Sequence, residues 1–194
     1  IGFNGLNPDS GDAVGGFDVL THAETEAEKI ALASGGQALV GATHKKAQLF
    51  ESASDYRYLH FSCHGRFDIA KPMESLLYIG PKETLSANEV IENMQLNCRL
   101  VMLSACETGL NEVKRGDELY GFARAFLLAG AEAVVVTLWR VEERVTRLFA
   151  ERLNHRLQEG LNAATAMKQC LLDLYNMSRI CLLYTSPSPR DIGE

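Results

Sequence analysis

The stretch RLVMLSACETGL, residues 99–110, joins a nearly continuous apolar run to a cysteine, an acid, a hydroxyl and a glycine. A short apolar run of this kind is typical of a strand that is covered on both faces. Its last residues, Ser104 and Ala105, are small, and Gly109 allows a tight loop beyond them. The stretch therefore predicts a buried strand that carries Cys106 at its carboxyl end.

Four further segments have strand patterns. They are QALVG, YRYLHFSC, SLLYIG and AVVVTL, at residues 37–41, 56–63, 75–80 and 133–138. Helical patterns separate most of them, and strands that alternate with helices favour an α/β fold with a mainly parallel sheet. Sites in such sheets form beyond the carboxyl ends of the strands.

Helix starts are predicted from capping residues. Thr21 with Glu24 and Ser86 with Glu89 have the spacing of a capping box, and Thr43 and Asp117 are further N-cap candidates. Gly35 follows the first helix as its C-cap. Helical spacing predicts apolar side chains facing inward; among them are Ala47, Phe50, Phe122, Phe126, Leu127, Phe149, Leu153, Ala164 and Leu171.

The chain divides into three parts by composition. Residues 1–17 are rich in Gly, Asn and Asp and are expected to be a loop or linker that leads into the domain. The domain itself is expected over residues 18–178. Residues 181–194 have two Ser-Pro pairs and no helical stripe, which favours disorder. This tail also resembles translated sequencing-adapter read-through, so no element of the fold is expected there.

The totals exclude several functional classes. With 194 residues and 46% hydrophobic side chains, the chain suits one domain with a sizeable core. The net charge of −6 comes with no basic stripe, so no nucleic-acid contact is expected. No apolar run approaches 18 residues, so no membrane span is expected. No signal peptide opens the chain, and its first residue, Ile1, suggests a fragment of a longer protein.

The five cysteines are Cys63, Cys98, Cys106, Cys170 and Cys181. Their odd number and low density favour a reducing compartment, and we expect a cytoplasmic protein. None of the spacings is C-x-x-C, so a structural metal site is not expected. No cofactor is expected either.

Two residues at predicted strand ends could form a nucleophilic site. A cysteine nucleophile needs a base, donors for an oxyanion and access. His64 supplies an imidazole, the N–H of Gly65 is a possible oxyanion donor, and Cys106 has small neighbours. The alternative for Cys106 is a buried, inert thiol, and for His64 a structural histidine.

Two blocks resemble the signature blocks of the CHAT domain, a family in the caspase–separase group of cysteine peptidases. They are YLHFSCHGRFD, residues 58–68, and LVMLSACETGL, residues 100–110. GDELYGFARAFLLAGAEAVVVTLW, residues 116–139, and the acid pair of WRVEE agree with that family too. The resemblance covers roughly residues 18–175. The caspase signature Q-A-C-[RQG]-G is absent, so the chain resembles the CHAT branch and not a true caspase.

The resemblance implies a caspase-like three-layer sandwich and a catalytic dyad of His64 and Cys106. Thiolate attack on a peptide carbonyl would give an acyl-enzyme that water then hydrolyses. The backbone N–H groups of Gly65 and Cys106 would hold the oxyanion. The implied partner is a protein or peptide substrate, and relatives often carry helical repeats that regulate the peptidase.

Roles are also expected for several neighbouring residues. Cys63 is expected in the core, with a redox partnership with Cys106 as the alternative. Glu107, Trp139, Glu142 and Glu143 are candidates for substrate binding. The last two stand where the family commonly has aspartates, and they would attract a basic P1 residue or else be solvated acids at a helix start. Asp68 is expected to fix the loop after His64.

Two other functional classes stay open at this point. One is a catalytically silent caspase-like interaction module. The other is a small-molecule hydrolase or acyltransferase with a Cys-His site, which would want a deeper apolar pocket than a peptide groove.

Overall fold

The structure is a computed structural model that describes residues 1–5, 13–17, 19–41, 46–68, 70–104, 120–136 and 143–177. Its helices are α1 (Ala23–Ser34), α2 (Lys46–Ser52), α3 (Ala87–Asn93), α4 (Tyr120–Leu128), α5 (Glu143–Gln158) and α6 (Ala163–Met177). Its strands are β1 (Tyr58–Ser62), β2 (His64–Arg66), β3 (Leu76–Gly80), β4 (Glu83–Ser86), β5 (Leu100–Ser104) and β6 (Val134–Val136).

Strands β1, β5 and β6 form a parallel sheet with β5 in the centre. The β1–β5 ladder runs from the pair Tyr58↔Leu100 to the pair Ser62↔Ser104 without a break. On the other side of β5, Leu103 pairs with Val136. The predicted parallel sheet is therefore confirmed, and two of its strands end at the same level.

Alternate side chains of β5 enter two different cores. Val101 and Leu103 belong to a cluster that includes Phe122 and Phe126 of α4. Leu100 and Met102 belong to a second cluster, with side chains of α5 and α6 that include Leu153 and Cys170. All four of these β5 side chains are buried. Because successive side chains of a strand point to opposite faces, helices cover the parallel sheet on both faces, as the apolar run predicts.

A second sheet is antiparallel and contains β2, β3 and β4. The chain leaves the parallel sheet at Ser62, and β2 begins only two residues later at His64, which pairs with Tyr78 of β3. The segment at residues 75–80 is therefore a strand, as predicted. The predicted parallel sheet is that of β1, β5 and β6, and the separate antiparallel sheet, with three of the six described strands, was not predicted.

The first residues of the chain lie on the free edge of β1. The N–H of Ser62 donates to the carbonyl of Ile1 at 2.8 Å, and the N–H of Phe3 donates to the carbonyl of Ser62 at 3.0 Å. Gly2 also bridges to Val40. The predicted strand at residues 37–41 was wrong, since only this single bridge forms there. Phe3 is buried, so the leading residues pack into the core.

Two of the predicted helix ends are confirmed. The N–H of Glu89 donates to Ser86 Oγ at 3.1 Å, and the N–H of Ser86 donates to Glu89 Oε2 at 2.8 Å, which is a complete capping box. Gly35 ends α1 in the left-handed region, with φ of 65°. The box at Thr21 was wrong, because α1 begins at Ala23 with His22 as its N-cap. Thr43 and Asp117 lie outside the described residues.

The inward-facing predictions were correct for the aromatic residues and Leu153, and wrong for two alanines and two leucines. Phe122, Phe126, Phe149 and Leu153 are buried, and Phe50 packs against the core. Ala47, Leu127, Ala164 and Leu171 are exposed, whereas Leu49, Ala125, Ala166 and Cys170 are buried. Neighbouring helix positions differ by about 100°, so a phase error of one or two residues moves a side chain from core to solvent.

A helix that crosses a membrane needs about 20 predominantly apolar residues. Within the described ranges, no helix is both long and apolar enough to cross a bilayer.

We expect Ser86→Ala to lower the free energy of unfolding by about 1 kcal/mol, because it leaves the N–H of Glu89 without its capping oxygen. Urea unfolding followed by circular dichroism measures the change. Asn88→Ala, at an exposed position of the same helix, is the matched control and should change stability by less than about 0.5 kcal/mol. Equal losses in the two variants would show that the capping box does not stabilise α3.

Candidate active site

The carboxyl ends of β1 and β5 define the candidate site. Ser62 and Ser104 are the last pair of the parallel ladder. His64 follows Ser62 by two residues, and Cys106 follows Ser104 by the same number. The structure describes His64 and Gly65, whereas Cys106 lies outside the described residues.

His64 is the first residue of β2, and its side chain is only 1% exposed. The ring of Phe17 stacks on the imidazole, with centroids 4.7 Å apart and planes inclined by 16°. Phe17 also meets Tyr78 edge to face at 5.0 Å. Tyr78 is the cross-strand partner of His64, so three rings pack together at the end of β1.

Gly65 is required by packing. A Cβ at this position would lie 2.6 Å from the ring of Phe67, too close for any real contact. Phe67 is buried and meets Phe122 of α4 edge to face at 6.2 Å. The protein's own Phe67 therefore fills the space that the missing side chain leaves. This packing role of the glycine is separate from the oxyanion role that the sequence suggested for its N–H.

Asp68 holds the loop that follows β2, as predicted. Its Oδ1 accepts the N–H groups of Ala70 and Lys71, both at 2.9 Å. Its own N–H donates to Ser75 Oγ at 3.0 Å, and this bond ties the loop to the start of β3. The exposed carboxylate therefore has a structural role next to the site.

Cys63 is an inert core thiol in this structure. It is completely buried within the larger cluster, and burial raises its pKa to about 12. A thiol that stays protonated at neutral pH is a poor nucleophile. The prediction that Cys63 packs in the core is confirmed, and its burial argues against a redox role. Burial likewise raises the pKa of Cys98, to about 11.

For the remaining predicted site residues, the structure describes no side chain. Glu107, Trp139 and Glu142 lie outside the described residues. Glu143 begins α5, and only its backbone is described. In the described ranges, no group of three or more His, Cys, Asp or Glu side chains could hold a metal ion.

Sequence reasoning missed the aromatic contacts around His64. Tyr78 could have been found from strand pairing, because it lies directly across from His64. Phe17 gave no signal, since it stands in a Gly-rich loop 47 positions before His64 in the sequence. Only the fold brings these two rings together.

A cavity of about 460 Å³ lies away from this site, between α1, the start of β1 and α5. Its lining includes Ile30, Tyr58, His60 and Leu157 but neither His64 nor Gly65. Next to it, Glu26 Oε1 lies 2.5 Å from His60 Nε2 inside the protein. The apolar cavity that the structure describes is therefore not a pocket at the end of β1.

Comparison with known proteins gives a family and two relatives. The sequence model of the CHAT domain matches residues 8–188. Tetratricopeptide repeat protein 28 of Mus musculus is 24% identical over 188 residues, and that of Homo sapiens is 25% identical over 189 residues. Each match covers 78% of this chain and 8% of the relative. The chain therefore spans about a twelfth of the length of the curated relatives it matches.

The raised pKa of Cys63 predicts a pH dependence of stability. Above about pH 8.5, where an ordinary thiol ionises, the unfolded state loses a proton that the folded state keeps until about pH 12. The folded state then binds more protons, so the free energy of unfolding falls as pH rises through this range. In Cys63→Ala that fall should be shallower. Urea unfolding at pH 9, 10 and 11 measures the slopes.

Between pH 6 and 8 the thiol is protonated in both states, so the slopes of wild type and Cys63→Ala should coincide there. Identical slopes above pH 9 would contradict the assignment of Cys63 as a buried thiol with a raised pKa.

Proposed function

Because the chain belongs to the CHAT domain family, which is related to the caspase-like peptidases, we propose that it is a cysteine endopeptidase domain. Cys106 is the proposed nucleophile, and His64 the proposed general base and acid. The proposed architecture is the caspase-like three-layer sandwich, with the domain over residues 18–178. Residues 1–17, expected as a linker, instead contribute Phe3 to the core of this domain. Residues 181–194 are the proposed non-native or disordered tail.

The register of β1 and β5 is the observation that carries this proposal. Ser62 and Ser104 are paired, and adjacent strands lie about 4.8 Å apart. Cys106 is two residues beyond Ser104, so chain connectivity keeps its Cα within about 7.6 Å of that residue. His64 is equally far along the chain from Ser62. The segments that lead to His64 and to Cys106 thus start from paired residues at one edge of the sheet, which supports the proposed dyad.

The proposed reaction proceeds by acyl transfer. The thiolate of Cys106 attacks the peptide carbonyl carbon, and the N–H groups of Gly65 and Cys106 stabilise the oxyanion. When the C–N bond breaks, the imidazolium of His64 gives its proton to the leaving amine. Neutral His64 then takes a proton from water, which attacks the thioester and releases the acid and the thiol.

Substrate recognition is proposed for the segment after β6. Val136, the last residue of β6, pairs with Leu103, so this third strand points to the same edge as β1 and β5. Trp139 and Glu142 follow within six residues, and Glu143 begins α5. Together with Glu107, they are the proposed substrate contacts. Two acids here would favour a basic P1 residue by charge complementarity.

The burial of His64 favours a second candidate, a catalytically silent interaction module. A side chain that is 1% exposed and stacked on Phe17 is also what a structural histidine looks like. The 460 Å³ cavity has neither His64 nor Gly65 in its lining, so it lends no support to a third candidate, a small-molecule hydrolase.

The wider context of the domain is also part of the proposal. The names of both relatives describe tetratricopeptide repeat proteins, so a helical-repeat regulatory domain in the full-length protein is proposed. The proposed partner is a protein or peptide substrate, and the proposed compartment is the cytoplasm. There the free thiols of Cys63, Cys98 and Cys170 would stay reduced.

Peptide-library cleavage tests the dyad. We expect Cys106→Ala and His64→Ala each to abolish cleavage, with losses of at least about 1,000-fold, because each removes one member of a unit that acts together. Cys63→Ala is the matched control. It removes the thiol beside His64, and activity should persist because that sulfur is buried and protonated.

Thermal unfolding checks that all three variants fold. Full activity in folded Cys106→Ala would reject the nucleophile. Absence of cleavage by the wild-type chain, with a native fold, would reject the peptidase function in favour of the silent module.

Charge reversal tests the proposed acidic wall. The double variant Glu142→Lys/Glu143→Lys should lower kcat/KM for peptides with Arg or Lys at P1 by about 10- to 100-fold, since attraction becomes repulsion. The matched control, Glu51→Lys/Glu92→Lys, makes the same change in net charge at exposed positions of α2 and α3. An unchanged P1 preference in the first variant would leave Glu142 and Glu143 as surface acids.

A further inference from the structure

The contact between Phe17 and His64 joins two parts of the chain that have no sequence relation. The rings are stacked, 4.7 Å apart and inclined by 16°. Offset stacking of this kind is a favourable arrangement for two aromatic rings. The contact covers one face of the imidazole and leaves the edge that carries the nitrogens to other neighbours.

Backbone hydrogen bonds on both sides hold Phe17 in place. The N–H of Val14 donates to the carbonyl of Gly5 at 2.7 Å, and the N–H of Leu20 donates to the carbonyl of Asn4 at 2.9 Å. Between them, Gly16 takes a φ of +74°, which turns the chain towards β2. These bonds fix the backbone on both sides of Phe17 to residues 4 and 5, at the start of the chain, in what we call the leading segment.

The same leading segment is tied to the end of β1. The N–H of Phe3 donates to the carbonyl of Ser62, two residues before His64. The segment that contains Phe17 is therefore hydrogen-bonded to the last residue of β1, just before the strand β2 that begins with His64. Tyr78 lies across from His64 in the β2–β3 ladder and contacts Phe17 edge to face. Tyr78 therefore supports the ring of Phe17, which in turn stacks on the imidazole.

Without such packing, the imidazole of His64 could rotate about χ2, and a catalytic ring must keep its orientation. The χ2 torsion of histidine has broad energy minima, so backbone position alone does not fix the plane of the ring. A displacement of about 1 Å in a catalytic group can cost about 100-fold in rate. A ring that fixes this plane therefore has a function beyond filling space.

We propose that Phe17 is a positioning residue for His64, whose imidazole plane it fixes at the carboxyl end of β1 by stacking. Tyr78 braces Phe17 from the side. The proposal rests on the peptidase function proposed above and adds the residues that orient its base. Phe17 contacts His64 and Tyr78, so its loss should affect the chemical step more than substrate binding.

Two variants and a control test the proposal by kinetics. Phe17→Leu keeps an apolar side chain without the aromatic face and should lower kcat about 10-fold, with KM changed by less than about twofold. Phe17→Tyr restores the ring and should restore kcat. Phe50→Leu, which removes another half-buried aromatic ring from the core of the domain, should leave kcat unchanged. Wild-type kcat in Phe17→Leu would overturn the proposal.

An NMR measurement reports on the stack independently of activity. In the wild type, the ring protons of His64 lie over an aromatic face and should resonate upfield of those of an unstacked histidine. They should move downfield in Phe17→Leu and stay in place in Phe17→Tyr. His64→Gln identifies these signals among the five histidines.

The two readouts separate the two proposals. Ring-proton shifts that Phe17→Leu leaves unchanged would overturn the positioning role even in an active peptidase. A wild type that shows the stack but cleaves no peptide would support the orienting contact and reject the peptidase function.

Discussion

The parallel register between β1 and β5 is the constraint on which the rest of the structure depends. Its last pair is Ser62↔Ser104, so the segments that follow β1 and β5 begin next to each other at the same edge of the sheet. The proposed roles of His64 and Cys106 depend on this pairing. A slip of one residue would turn each side chain of β5 to the opposite face. The register is secure because both faces of β5 are buried, with Leu103 packed in one cluster and Met102 in the other.

Cys63 and His64, the two residues that follow β1, lie in different surroundings. Cys63 lies in the core and is held protonated by burial, whereas the next residue, His64, packs in a cluster of aromatic rings. Cys63 is therefore an inert thiol, whereas the adjacent His64 is the proposed base. The loop after them is fixed by Asp68 and the strand itself by the fit of Gly65 against Phe67. The described surroundings of His64 are therefore held by hydrogen bonds and packing, as a preorganised catalytic group would require.

Much of the fold could be predicted from local pattern, and most of the detail of the site could not. The apolar run of β5 and the capping box at Ser86 are local signals that tertiary packing reinforces, and both predictions were correct. Leu127 and Leu171 were misassigned because a helix that is apolar on more than one side does not reveal which side meets the sheet. The strand at residues 37–41 was overpredicted because its partner is the first few residues of the chain. Family resemblance assigned His64 and Cys106, whereas the contact between Phe17 and His64 is non-local and has no sequence signature.

The central claim is that His64 and Cys106 form one chemical unit, and the pH dependence of Cys106 alkylation tests it most directly. An ordinary thiol ionises near pH 8.5, and a cysteine paired with an imidazolium ionises well below that value. Iodoacetamide labelling, with Cys106 followed by peptide mass spectrometry, should show a rate midpoint below pH 7.5 in the wild type. In His64→Gln the midpoint should rise to about 8.5. The same midpoint near 8.5 in both proteins would contradict the account, because it would show that the thiol does not sense the histidine.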